Sequence, residues 1–180
     1  MVSPAAEVEL DEGAVRSLLA EQHPDLAHLP LRVLDAGWDN TLWRLGDGLL
    51  VRLPRRSAAA ALVLHEQRWL PSLGPPLPLP TPIPIRVGRP TAAFPWSWSI
   101  VPWLQGVPAD RRPPLDPELV ATQLGGFLRA LHRRAPTEAP RNPYRGVPLA
   151  ERAELFETRL VALASEVDGP SVRAVWERAL

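Results

Sequence analysis

The sequence predicts an α+β fold: a five-stranded antiparallel sheet with one helix inserted after its third strand, followed by helices alone. Three observations predict it. Short apolar runs in the first hundred residues are joined by connections too short for parallel crossovers. One long alanine- and leucine-rich pattern interrupts them after residue 57. Beyond a charged, proline-rich stretch at 108–117 the apolar spacing changes to the three-and-four repeat of helices.

In chain order, Asp11 is placed to cap a helix over about 12–22, with Val15, Leu18 and Leu19 on one face and His23-Pro24 ending it. LRVLDAGW (31–38), TLWRL (41–45) and LLVRL (49–53) read as three strands of a meander. Asp47-Gly48 is the expected tight turn between the last two, as a pair that tolerates positive φ. Ser57 is the expected cap of the inserted helix, AAAALVLHEQRWLPSL, whose apolar stripe reads as Ala58, Leu62, Trp69, Leu70 and Leu73. Proline recurs so often in 71–84 that the segment is expected to be extended and excluded from any central strand. IRVG supplies an edge strand, and WSWSIVPWL (96–104) a fifth strand broken at Pro102. Asp116-Pro117 then opens a helix with Val120, Leu124, Phe127, Leu128 and Leu131 on one face. Two more helices are expected at about 149–167 and from Gly169-Pro170 onward.

Composition limits the chemistry. The 180 residues are 46% hydrophobic with no net charge, which suits a packed domain and offers no basic surface for nucleic acid. All twenty basic residues are arginines. Without lysine there is no Walker-type phosphate loop, no Schiff base and no catalytic amine. Without cysteine there is no disulfide, thiolate nucleophile or thiolate-bound metal. The acidic start MVSPAAEVELDE lacks the pattern of a secretory signal, and the longest apolar run, 58–64, is too short to span a bilayer. A cytoplasmic protein without membrane or nucleic-acid partners is therefore expected. The four histidines show no ligand spacing, so no metal site is expected from them.

Two charges stand where apolar residues belong. Arg52 lies inside the strand LLVRL, and Glu66 lies in the core-facing stripe of the following helix. An arginine cannot shed its charge, so a partner is required if it is enclosed. From the residues alone two pairings remain open: Glu66 with Arg52, or Glu66 with Arg55 or Arg68 while Arg52 faces water.

LLVRLPRR, then Glu66 in LHEQRWL, then SIVPWLQGVPAD and FLRALHRR, in this order, resemble the aminoglycoside phosphotransferase family over about residues 30–180. The resemblance implies a protein-kinase-like fold, with a nucleotide-binding lobe over 1–103, a hinge and linker over 104–118, and the start of a helical lobe over 119–180. It implies that Arg52 grips the α- and β-phosphates of ATP and that Glu66 holds Arg52 in place. It places the adenine on the carbonyl of Pro102 and the N–H of Leu104. GWDNTLW (37–43) takes the place of the nucleotide-covering loop, retaining only Gly37 of the G-x-G-x-x-G pattern, with Asn40 and Thr41 as phosphate donors.

The implied activity is ATP-dependent transfer of a γ-phosphate to a small-molecule hydroxyl. The resemblance implies that the catalytic aspartate and the magnesium ligands come from a His-Gly-Asp loop with a following asparagine and then an Asp strand, and the sequence contains no His-Gly-Asp or His-Arg-Asp. The chain is thus expected to be an N-terminal part, inactive alone, with magnesium needed only by a complete chain. The alternative is a non-catalytic nucleotide-binding or regulatory module of the same fold.

Overall fold

The computed structural model describes residues 5–109, 111–113, 115–140 and 147–180. The chain divides into two compact units, Met1–Arg134 and Ala135–Leu180.

The first unit opens with α1 (Glu12–Gln22), capped as expected by the Asp11 carboxylate, which accepts from the Ala14 N–H at 2.8 Å. Strands β1 (Leu31–Ala36), β2 (Asn40–Leu45), β3 (Leu49–Pro54), β4 (Arg86–Gly88) and β5 (Trp98–Pro102) form one antiparallel sheet in the order β1-β2-β3-β5-β4. The connection from β3 to β5 carries α2 (Ser57–Leu73) and then β4, which takes the edge.

Period-two alternation gives this sheet two different faces. Trp43, Leu45, Val51, Leu53, Trp98 and Ile100 point one way and pack with Val15, Leu18 and Leu19 of α1 and with Phe94 into the hydrophobic core. Leu42, Arg44, Leu50, Arg52, Ser99 and Val101 point the other way, where α2 lies.

Several local details differ from the sequence expectation. The β2–β3 turn spans three residues, and its positive φ (55°) falls on Gly46 rather than on Asp47-Gly48. The extra residue suits a non-glycine Asp47, which keeps a negative φ. Ser57 is the first helical residue of α2, and the cap position belongs to Arg56, which makes no side-chain cap bond. The first-turn donors are met from a distance instead: the Glu7 carboxylate accepts from the Ser57 N–H at 3.0 Å and from its hydroxyl at 3.2 Å. A carboxylate there also complements the positive end of the helix dipole. On α2 the buried residues are Ala59 and Val63, while Ala58 and Leu62 are exposed, so the inward stripe runs one residue later than expected. It passes through Glu66 and Gln67, whose polar partners set the rotation of the helix. The segment 74–80 forms turns and bends rather than a uniformly extended strand, beginning with a Leu77-to-Gly74 backbone bond.

Helix α3 (Pro117–Leu131) is capped by Asp116 and buries no residue; Val120, Leu124, Leu128 and Leu131 are all exposed. In the second unit a 3-10 turn (Leu149–Arg152) leads into α4 (Ala153–Ala162), shorter than expected, and α5 (Gly169–Ala179) is capped by Asp168. Phe156 and Trp176 stack at 4.3 Å between ring centres, and Arg173 pairs with Glu157. No helix among the described residues is long and apolar enough to cross a membrane.

Two tests follow from this packing. A Cβ on Gly88 would fall 1.9 Å from the Trp98 ring, which is fully buried beside it. Gly88→Ala is expected to cost about 3 kcal/mol, read as a Tm lowered by roughly 6–12 °C. Burial holds the His23 imidazole below its ordinary value of 6.5, with Arg86 adding to the shift and Asp25 and a Val87 backbone bond opposing it. The folded chain therefore favours the neutral ring, and the unfolded chain takes up the proton first. This contribution is complete above about pH 6.5 and is lost as the pH falls below it. His23→Phe is expected to narrow the Tm difference between pH 7.5 and 5.5; an unchanged difference would refute the assignment.

Candidate functional site

Arg52 and Glu66 meet. The guanidinium donates through Nη1 to Glu66 Oε2 at 2.9 Å and through Nη2 to Oε1 at 3.1 Å, a two-pronged pair with 19% and 31% of the two side chains exposed. Cross-strand pairing and the helix register together produce this contact. Arg52 stands between Leu42 of β2 and Ser99 of β5 on the α2 side of the sheet, and Glu66 lies three residues after buried Val63. Gln67, one residue on, donates to the Trp98 carbonyl at 2.9 Å and to Ser99 Oγ at 3.0 Å, so α2 is tied to both β3 and β5. The other pairings open to Glu66 are not made. Arg55 donates to the Gly37 carbonyl at 2.7 Å, and Arg68 lies over the Trp69 ring.

Arg52 lines a cleft of about 530 Å³. Its roof is the β1–β2 connection, Gly37, Trp38, Asp39 and Asn40, and its ceiling is Leu42, Leu50 and Val101 from the open sheet face. Pro102, Trp103, Leu104 and Pro82 complete the lining. Of the residues singled out from sequence, Arg52, Asn40, Pro102 and Leu104 therefore share one cavity, and Glu66 joins through Arg52. Thr41 is not brought in. It alternates with Asn40 and Leu42, so its side chain takes the face of Trp43 and Leu45. Asn40 Oδ1 is buried without a partner in the cleft wall, an acceptor left open beside Arg52.

Backbone polarity at the cleft edge follows from the ladder. Trp103 donates its N–H to the Gly48 carbonyl at 2.8 Å, toward β3. Successive residues of a strand turn their backbone groups to opposite edges, so the Pro102 carbonyl faces away from β3, and in extended chain the Leu104 N–H returns to that edge. On that side Ile85 donates to the Ile100 carbonyl at 2.9 Å and Ile83 to the Thr81 carbonyl at 2.8 Å, and the residues between and before them, Pro84 and Pro82, are prolines. Proline has no N–H to offer. The proline-rich connector thus leaves the Pro102 carbonyl unclaimed by a neighbouring strand.

Trp103 is a fixed wall of the cleft. The Arg44 guanidinium lies 4.0 Å from its ring centre and is itself held by the carbonyls of Gly46 (3.1 Å) and Asp47. Strand alternation could have placed Arg44 and Leu50 on the face of Arg52. Nothing local in the sequence marks Pro82, which arrives from the far end of the connector.

Among the described residues no group of three or more His, Asp or Glu could hold a metal ion. The apolar groove of the second unit, about 340 Å³ between α4 and α5, has only Arg152 and Arg159 as ionised lining groups.

A meander with a carboxylate-bearing helix after its third strand, that carboxylate clamping a strand cation, and a cleft beneath the sheet define the small lobe of a kinase-type phosphotransferase. Residues 30–180 match the model of the phosphotransferase enzyme family APH, and the chain belongs to that family. None of the curated proteins matches it. Among solved structures it is similar to the GDP complex of aminoglycoside 2'-phosphotransferase-IIIa, at 18% identity and TM-score 0.64, over 87% of this chain and 51% of that one. It is also similar to the streptomycin–ATP–APH(2")-IIa ternary complex (18% identity, TM-score 0.56, 89% of this chain and 53% of that one). A third likeness is macrolide 2'-phosphotransferase MphH from Brachybacterium faecium (23%, TM-score 0.57, 92% and 58%). At these identities the likeness is one of fold. The chain spans about half the length of the phosphotransferases it matches.

Proposed function

We propose that these residues form the nucleotide-binding part of an ATP-dependent phosphotransferase acting on a hydroxyl of a small molecule. The observation that carries the reading is the Arg52–Glu66 pair set in the wall of the cleft. A polyphosphate needs a cation that stays charged and stays still. Arginine supplies the first property and the two-pronged carboxylate the second. ATP supplies the phosphoryl group to be transferred. The chain's own contribution is to bind and orient it: Arg52 toward the α- and β-phosphates, the Pro102 carbonyl and Leu104 N–H toward the adenine edge, and Leu42, Leu50 and Val101 against the base. Asn40 and the roof stand on the phosphate side, where its unpartnered Oδ1, an acceptor, suits a water bridging to the phosphate oxygens. On this reading the lobe boundary falls in 104–118, after the hinge strand.

The acceptor belongs to the same proposal. Solved neighbours carry kanamycin, streptomycin or gentamicin in their complexes, which makes a polyhydroxylated small molecule the class to test first. The sequence has no His-Gly-Asp motif, so the part assigned to these residues is to bind and orient the nucleotide. The 180-residue chain is expected to bind nucleotide without turning it over.

Calorimetric titration with ATP tests the reading. Loss of one charge-assisted phosphate contact is worth about 1.5–3 kcal/mol, so Arg52→Ala is expected to raise the Kd roughly 10- to 100-fold. Glu66→Gln is expected to have a smaller effect in the same direction, since the cation remains but is less fixed. An ATP affinity unchanged by Arg52→Ala would overturn the assignment.

A further inference from the structure

The roof of the cleft carries a negative charge in the wrong place for a phosphate site. Asp39 lines the cavity, and its side chain is 40% exposed. Polyphosphate bound beneath it would meet an anion of its own sign. Two consecutive arginines at the β3–α2 junction bear on this residue from outside the cavity. Arg56 places Nη2 3.0 Å from Asp39 Oδ1. Arg55 donates its backbone N–H to the Asp39 carbonyl at 2.9 Å and its guanidinium to the Gly37 carbonyl at 2.7 Å. The loop is closed on itself by the Gly37 N–H to the Asn40 carbonyl, also at 2.9 Å. The junction is anchored in turn, because the Arg55 carbonyl accepts from Glu7 and the Glu7 carboxylate holds Ser57.

Resting on the nucleotide reading above, we propose that Arg56 is a positioning residue that neutralises Asp39 in the cleft roof, so that a nucleoside polyphosphate is tolerated there, while Arg55 fixes the backbone of that roof. A loop with one glycine in place of three is thereby held by side chains in a single shape, and its one exposed charge is cancelled from behind. Removing the Arg56 charge releases the Asp39 field into the cleft, and the penalty grows with the charge of the ligand. A purely structural arginine would weaken all ligands alike.

The test measures binding of ATP, ADP and adenosine to the full chain and to Arg56→Gln, which removes the charge and keeps most of the side chain. Thermal melts establish that each variant is folded. The expected result is an affinity lowered about tenfold for ATP, less for ADP, and unchanged for adenosine, with the differences shrinking as salt is added. Asp39→Asn combined with Arg56→Gln is expected to restore ATP binding to within about twofold of the parent chain. Equal losses for adenosine and ATP, or no recovery in the double variant, would overturn the proposal while leaving the nucleotide site standing. A parent chain that binds neither ATP nor adenosine would overturn both.

Discussion

The Arg52–Glu66 ion pair is the constraint on which the first unit is arranged. A guanidinium in the middle of a sheet face cannot be neutralised by losing a proton, so the fold must bring a carboxylate to it. That requirement determines which side of α2 faces the sheet. With Glu66 over β3, Ala59 and Val63 turn inward, Gln67 reaches the Trp98 carbonyl and Ser99, and Leu62 turns to solvent. The helix docks by polar contacts as much as by burial, whereas α1 on the opposite face docks through the buried Val15, Leu18 and Leu19, with Gln22 at its end bonded to the Arg89 backbone. One sheet thus separates the hydrophobic core from the cleft that Arg52 lines.

Arginine performs several distinct tasks around that cleft. Arg52 faces into it and Arg44 backs the Trp103 wall, while Arg55 ties down the roof backbone and Arg56 pairs with the roof carboxylate. Each uses the planar fork differently: two prongs on one carboxylate, a flat face on an indole, or a single donor on a carbonyl. The proline-rich connector contributes by omission: Pro82 and Pro84 have no N–H, and those of Ile83 and Ile85 go to the Thr81 and Ile100 carbonyls.

Much of this was legible in the sequence, and the limits have physical causes. The five strands, the inserted helix and the Asp11 and Asp116 caps follow from local patterns, and local patterns survived. Arg52 and Glu66 were conspicuous because a charge inside an apolar repeat demands a partner, although only the coordinates chose between Arg52, Arg55 and Arg68 for Glu66. Some of the misses are long-range. Ser57 looked like a cap because nothing nearby competes for its first-turn N–H; Glu7, fifty residues earlier, takes that role. The α2 stripe was displaced by one residue because apolar counting ignores the polar anchors that set the rotation. Asp47-Gly48 has the composition of a two-residue turn, yet the loop uses three residues with Gly46 in the left-handed region. The cation that fixes Trp103 lies on another strand, and strand alternation turns the Thr41 side chain to the face away from Arg52.

One feature bears on how such a protein would be detected. Kinase-type clefts that carry a lysine on the third strand offer an ε-amine to electrophilic nucleotide analogues, and acylation there leaves a permanent tag. Here the cation on the third strand is a guanidinium clamped by a carboxylate, and the 180 residues contain no lysine. Amine-directed affinity labels would leave this cleft unmarked, so a proteome survey built on them would overlook it; dicarbonyl reagents, which condense with guanidines, are the matching chemistry.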